Sequence, residues 1–129
     1  MIVVDASAAF EIVLRTPLGM RANVRLAGED VHVPHLIDIE IASVVRRHLL
    51  AKELDAEAAE ETILHLLEWP LIRHEHAALL PRIWALRHAV SAYDACYVAL
   101  AEALDAPLMT CDTKLSRSHG HAARIELLR

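Results

Sequence analysis

Short, wholly apolar runs alternate with longer segments of helical periodicity along almost the entire chain. Ile2-Val3-Val4 is an uninterrupted run of the kind that forms a strand buried on both faces. Ala6–Leu14 then presents an apolar helical face, and Pro17 suits the first turn of a second short helix running to about Ala27. Val31-His32-Val33, stopped by Pro34, reads as the next strand. From His35 to about Lys52 the apolar residues Ile37, Ile41, Val44, Val45 and Leu49 recur near helical spacing. Asp55 is a suitable N-cap for a following helix with Glu57 in its first turn. That helix ends before Pro70, and Leu71-Ile72 reads as a third strand. Two more helices are expected over Ala77–Ala89 and Ala92–Leu104, divided near Val90-Ser91. Pro107–Thr110 and Ile125–Leu127 supply the last two strands. This order predicts one domain over residues 1–129, a three-layer α/β/α sandwich with a central, mainly parallel sheet.

Composition narrows the class without naming a function. Of 129 residues 55% are hydrophobic, yet no apolar stretch approaches the ~20 residues of a membrane span. The first strand begins at residue 2, with no charged and apolar leader before it, so the expectation is a soluble cytoplasmic protein that does not engage a membrane. Cys96 and Cys111 both fall in segments expected to be buried, and two cysteines neither frame a disulfide scaffold nor complete a zinc site. A net charge of −5 argues mildly against non-specific nucleic-acid binding. Its distribution weakens that argument, because residues 53–68 carry six acids and no Lys or Arg, and the remainder sums to +1.

Four carboxylates in that remainder stand out. Asp5 and Asp112 each close an apolar strand, while Glu40 and Asp94 lie near the starts of two apolar helices. In a parallel α/β sheet, strand C-termini and helix N-termini share one edge, which is where ligands bind. Four acids there repel one another unless a divalent cation sits between them. Each also has an ordinary reading. Asp5 is a preferred cap for the helix starting at Ala6, with Ser7 able to support either role, and Asp112 suits a turn. Ser91-Ala92-Tyr93-Asp94 fits a capped first turn, but the helix after it is apolar almost all round and offers Asp94 no basic partner one turn along. Asp38 and Glu40 lie about 200° apart on the helical wheel, which does not choose between them, while Asp38, nearer the helix start, is the better first-turn charge.

Together these segments resemble the PIN-domain family, most closely its VapC-type toxin ribonucleases. The resemblance rests on Val4-Asp5-Ala6-Ser7, on Glu40-Ile41-Ala42-Ser43-Val44-Val45-Arg46-Arg47, on the stretch from Ser91 to Glu102, and on Thr110-Cys111-Asp112-Thr113-Lys114-Leu115. It selects Glu40 over Asp38. It implies a divalent-metal endoribonuclease, the toxin of a type II toxin–antitoxin pair, in which Asp5, Glu40, Asp94 and Asp112 hold Mg²⁺ or Mn²⁺, some through water. Ser7 and Thr110 would position an acid, a water or a phosphate oxygen. It further implies a homodimer, a cognate VapB-like antitoxin that reaches into the acidic site, and a structured RNA substrate such as tRNA or rRNA. Residues 116–123 match nothing that defines the family.

The chemistry accords with the residue types. Carboxylate-bound Mg²⁺ activates water and stabilises charge on a phosphodiester, and hard oxygen ligands suit it better than they suit zinc. No side-chain nucleophile is then needed, and products with 5′-phosphate and 3′-hydroxyl ends are expected. Arg46, Lys114 and Arg117 are candidate contacts to the RNA backbone. His74-Glu75-His76 and His119-Gly120-His121 lack the spacing of a zinc-protease helix. A receiver domain would pair two acids after the first strand, where here Ala6 follows Asp5. The remaining alternatives are a non-catalytic interaction module of the same fold and a structure-specific DNA nuclease.

Overall fold

The β-branched runs become the strands of a five-stranded sheet in a computed structural model that describes all 129 residues. The strands are β1 (Ile2–Val4), β2 (Val31–Pro34), β3 (Ile72–His74), β4 (Leu108–Thr110) and β5 (Ile125–Leu127). Their order is β3-β2-β1-β4-β5, and every neighbouring pair is parallel. The chain therefore builds outward from β1 in one direction, then crosses back to add β4 and β5 on the other side. The reversal falls between β1 and β4, where the connections diverge and leave a crevice at the strand C-termini.

Seven helices cover the sheet: α1 (Ala6–Val13), α2 (Pro17–Leu26), α3 (Leu36–Leu50), α4 (Ala56–Glu68), α5 (Leu80–Ala85), α6 (Ala92–Leu104) and α7 (Thr113–Ser116). Helices α1 to α4 pack on one another, while α6 lies against β1, β2 and β4 with α5 beside it. The result is the three-layer sandwich that the alternation of elements implies. Ile2, Val3 and Val4 are wholly buried, as a strand covered on both faces must be. Seven consecutive residues of α6, Ala95 to Ala101, are buried too, which explains why this helix lacks a polar face. Side chains cap the helices where the sequence suggests: Asp5 accepts from the Ala8 N–H (3.0 Å), Asp55 from Ala58 (2.7 Å) and Ser91 from Asp94 (3.1 Å). Gly19 is required where α2 crosses α1, since a Cβ there would stand 2.0 Å from the Glu11 carbonyl oxygen. No helix is long and apolar enough to cross a membrane.

Four local expectations need correction. The helix expected over Ala77–Ala89 is a 3₁₀ turn (Ala77–Leu79) followed by the short α5, which carries Pro81 in its first turn. Beyond it the backbone tightens into i→i+3 bonds, the Arg87 N–H donating to the Trp84 carbonyl (3.1 Å), and the Arg87 guanidinium folds back to the same carbonyl (3.0 Å) over that indole. β3 runs Ile72–His74 rather than Leu71-Ile72, because its ladder to β2 pairs Arg73 with Val33 and His74 with Pro34. The single turn α7 is too short to leave a periodic signal. Cys111 is only half-buried, since it lies beyond the end of β4 at the crevice, whereas Cys96 is buried; both are free thiols.

Candidate active site

Asp5 is the base of the crevice. It follows β1 directly, caps α1 and is 4% exposed. Its Oδ1 accepts from the Ser7 hydroxyl (2.6 Å) as well as from the Ala8 N–H, and its Oδ2 accepts from the Thr110 hydroxyl. Thr110, at the end of β4, is completely buried and its hydroxyl also accepts the Asp112 N–H (3.0 Å). The Ser7 oxygen accepts the Cys111 N–H (2.9 Å). Two small hydroxyls thus stitch the end of β1 to the end of β4 and fix the central carboxylate. Burial still outweighs these donors, and it holds the Asp5 carboxyl above the ordinary range.

Three more acids face Asp5 across a cavity of about 450 Å³: Glu40 from α3, Asp94 from the first turn of α6, and Asp112 after β4. Burial raises the pKa of Asp94, with the charges of Asp112 and Asp5 adding to the rise and Ser91 opposing it. Burial raises Glu40 as well; the Tyr97 hydroxyl, which donates to Glu40 Oε1 at 2.7 Å, opposes the shift, while Asp94 and Asp5 reinforce it. Asp112 caps α7 by accepting from the Lys114 N–H (2.8 Å). Four acids from four separate segments thus share one cavity, and their charges add to the raised proton affinity of Glu40 and Asp94.

No three of these side chains converge as a preformed ligand cage. Oxygen-only donors, spread around a cavity large enough for ordered water, fit a hard, partly hydrated cation such as Mg²⁺, which keeps several waters and binds few carboxylates directly. The thiol of Cys111 lies at the same cavity, but burial together with Asp5 and Glu11 pushes it up to about 11, so it is protonated and a poor ligand near neutrality.

The structure also separates residues that the sequence left together. Asp38 points away from the cavity and pairs with Arg73 on β3 through two hydrogen bonds of 2.8 Å. Arg46 lines a separate, mostly apolar groove of about 530 Å³ between α3 and α4. Lys114 and Arg117 are exposed and do not line the acid cavity, and Thr110 lies beneath it rather than in its wall. The lining also includes polar residues to which the sequence assigned no site role, among them Tyr97, Arg47 and His48, together with Glu11. Helical spacing carries a signal for the first three. Tyr97 is one turn from Asp94, whereas Arg47 and His48 lie two turns from Glu40 on its own face of α3.

An open parallel sheet with a carboxylate-lined crevice at its switch point defines an α/β protein whose ligand chemistry is set by acids at the strand ends. The PIN domain matches residues 2–119, and the chain belongs to the PIN-domain family. It is similar to Ribonuclease VapC12 of Mycobacterium tuberculosis, with 40% identity over 128 residues covering 99% of both chains. Its fold resembles the VapBC2 complex of Rickettsia felis bound to a DNA fragment from its promoter (TM-score 0.71, 16% identity, 100% of both chains). It also resembles Mycobacterium tuberculosis VapC20, described as a sarcin–ricin-loop-cleaving toxin (TM-score 0.64, 19% identity, 90% of this chain and 93% of that one).

Proposed function

We propose that this chain is a divalent-metal-dependent endoribonuclease, the toxin of a type II toxin–antitoxin pair, acting on structured RNA. The observation that carries the reading is the gathering of Asp5, Glu40, Asp94 and Asp112 in one cavity, where burial raises three of them and repulsion from neighbouring carboxylates adds to the rise of Glu40 and Asp94. A fold has no structural use for such repulsion, and a bound cation removes it. The ribonuclease name of the 40%-identical relative supports the reaction, and the VapC20 description supports an RNA substrate. The VapBC complex supports an antitoxin partner.

Asp5, Glu40, Asp94 and Asp112 are the residues to hold Mg²⁺ or Mn²⁺, in part through water. When bound, such an ion supplies Lewis acidity at a phosphodiester and lowers the pKa of water. The chain's own contribution is geometric. Ser7 and Thr110 orient Asp5, Tyr97 orients Glu40, and the two sheet-end loops fix the distance between the carboxylates. We also assign a homodimer, formed through the exposed Ile39, Leu80, Trp84 and Tyr93 at the starts of α3 and α6 and along α5. Light scattering on purified protein reads that assembly directly.

The test of the activity is cleavage of total tRNA and rRNA by purified protein with Mg²⁺ or Mn²⁺, with EDTA and Asp94→Asn as controls. Cleavage lost in both controls, with 5′-phosphate and 3′-hydroxyl product ends, is the expected result. Absence of cleavage together with absence of Mn²⁺ binding would leave a non-catalytic member of the family. Duplex and flap DNA in parallel reactions report a DNA nuclease instead.

A further inference from the structure

An RNA strand entering this cavity meets five carboxylates: Asp5, Glu11, Glu40, Asp94 and Asp112. A polyanion needs positive charge on some wall, and among the lining residues Arg47 and His48 alone can provide it. Both lie on the last turns of α3.

Arg47 is exposed, and its guanidinium is free. Arg25, Arg73, Arg82 and Arg124 each pair with a carboxylate, but Arg47 makes no ion pair although acids line the same cavity. His48 is the opposite case, a ring held on two sides. It stacks on Phe10 at 5.0 Å between centroids and 19° between planes. Its Nδ1 lies 2.6 Å from Glu53 Oε2. The backbone builds this contact: Lys52 takes φ 60°, the chain turns back, and the Glu53 N–H donates to the His48 carbonyl at 2.9 Å. This backbone is the ordinary Schellman closure of α3, and it carries the Glu53 side chain to the His48 ring. Glu53 occupies Nδ1 and leaves Nε2 open to another partner.

We propose that Arg47 and His48 are the residues through which this site grips the RNA backbone, Arg47 as a mobile phosphate contact and His48 as one fixed by Phe10 and Glu53. The proposal rests on the ribonuclease reading above and adds the strand-binding wall to it. It moves the backbone contact from Arg46, which lines the α3–α4 groove, by one residue and about 100° around the helix. Both are binding rather than catalytic residues, since they oppose the acids instead of joining them.

The experiment measures binding of fluorescent bulk tRNA by the cleavage-deficient Asp94→Asn protein in Mg²⁺ across a NaCl series. Arg47→Gln, His48→Gln and, as control, Arg124→Gln are added to that background. Arg124 precedes β5 at the opposite edge of the sheet and pairs with the exposed Asp105. Arg47→Gln is expected to weaken binding about tenfold and to lower the slope of log Kd against log salt by about one. His48→Gln weakens it several-fold, and Arg124→Gln leaves Kd and slope unchanged. In the cleaving background the same two variants raise KM and leave kcat nearly intact. Unchanged Kd and slope in Arg47→Gln and His48→Gln, with tRNA still bound and cleaved by the parent, overturn this inference and leave the ribonuclease reading standing. A parent that neither binds nor cleaves RNA overturns both. Melting temperatures of each variant confirm that folding is preserved.

Discussion

Replacing Thr110 by Val tests whether the hydroxyl stitch between β1 and β4 carries the energy assigned to it. The side chain is completely buried, and Val matches its shape, so packing is retained while two hydrogen bonds disappear. Asp5 Oδ2 loses its donor and the Asp112 N–H loses its acceptor. An orphaned buried polar group costs about 1–3 kcal/mol, and Asp112 is only half-buried, so the two losses together come to about 2–4 kcal/mol. For a chain of this length each kcal/mol moves Tm by about 3–4 °C, which predicts a fall of about 6–16 °C. The loss has a pH signature, because the Thr110 hydroxyl lowers the Asp5 pKa and therefore favours the ionised form. Once Asp5 takes up a proton, the bond matters less, and the destabilisation shrinks at acid pH. Calorimetry of the metal-free proteins at pH 7 and at about pH 3.5, below the ordinary carboxylate value, reads both effects. A drop below about 2 °C at pH 7, or an equal drop at both pH values, would refute the claim that Thr110 acts through the charge on Asp5.

The same electrostatics give three shorter predictions. Asp94→Asn removes one of the mutually repelling charges, so it raises the Tm of the metal-free protein while reducing the stabilisation that Mg²⁺ confers; paired melts with and without the ion decide it, and an unaltered Mg²⁺ response contradicts the ligand assignment. Tyr97→Phe removes the donor to Glu40 and is expected to weaken Mn²⁺ affinity about tenfold by titration calorimetry, with little change in fold because the ring still fills its site. Raised carboxylate pKa values mean that the native state holds more protons than the unfolded chain, so the contribution of Asp5, Glu40 and Asp94 is fully present below about pH 4 and is lost as pH rises through their folded values. The metal-free protein should accordingly lose Tm between mildly acidic and neutral pH, and a saturating divalent ion should flatten that slope; a metal-free Tm that rises over this range would count against the raised values.

The fold was legible because the central strands β1 and β4 are short, apolar and covered on both faces, which leaves an unbroken apolar run rather than an alternating one. Element boundaries failed where turn backbone or a tertiary contact decided them. α5 closes in i→i+3 backbone bonds that leave no periodic signal, and β3 depends on its ladder to β2. The choice between Asp38 and Glu40 was hidden for the same reason. Arg73, which holds Asp38, lies 35 residues away in sequence and adjoins it only once β3 has paired with β2. Tyr97 was concealed within an apolar helix, where an aromatic residue reads as core; its ring is core, and only its hydroxyl belongs to the site. Arg47 was obscured by Arg46, since adjacent arginines near a helix end read as one solvated patch until the helix phase is fixed by Glu40.

The capping and site readings of these acids turn out to be one arrangement. Asp5 spends Oδ1 on the first turn of α1, Asp112 spends Oδ1 on the Lys114 N–H, and Asp94 sits in the first turn of α6. Free N–H groups at the starts of α1 and α6 favour negative charge, so two of these acids are partly compensated by backbone that the fold supplies in any case. Glu40 has no such support, because it lies beyond the first turn of α3 and receives one donor, the hydroxyl of Tyr97 from α6. The acids at helix starts are thus placed by local sequence, whereas Glu40 is held by one hydrogen bond that reaches across from α6 to α3. Loosening that contact should displace Glu40 first and leave the Asp5–Ser7–Thr110 network whole. For that reason Tyr97→Phe and Thr110→Val separate the two halves of the site: the first should reduce ion affinity with little loss of stability, and the second should lower stability first.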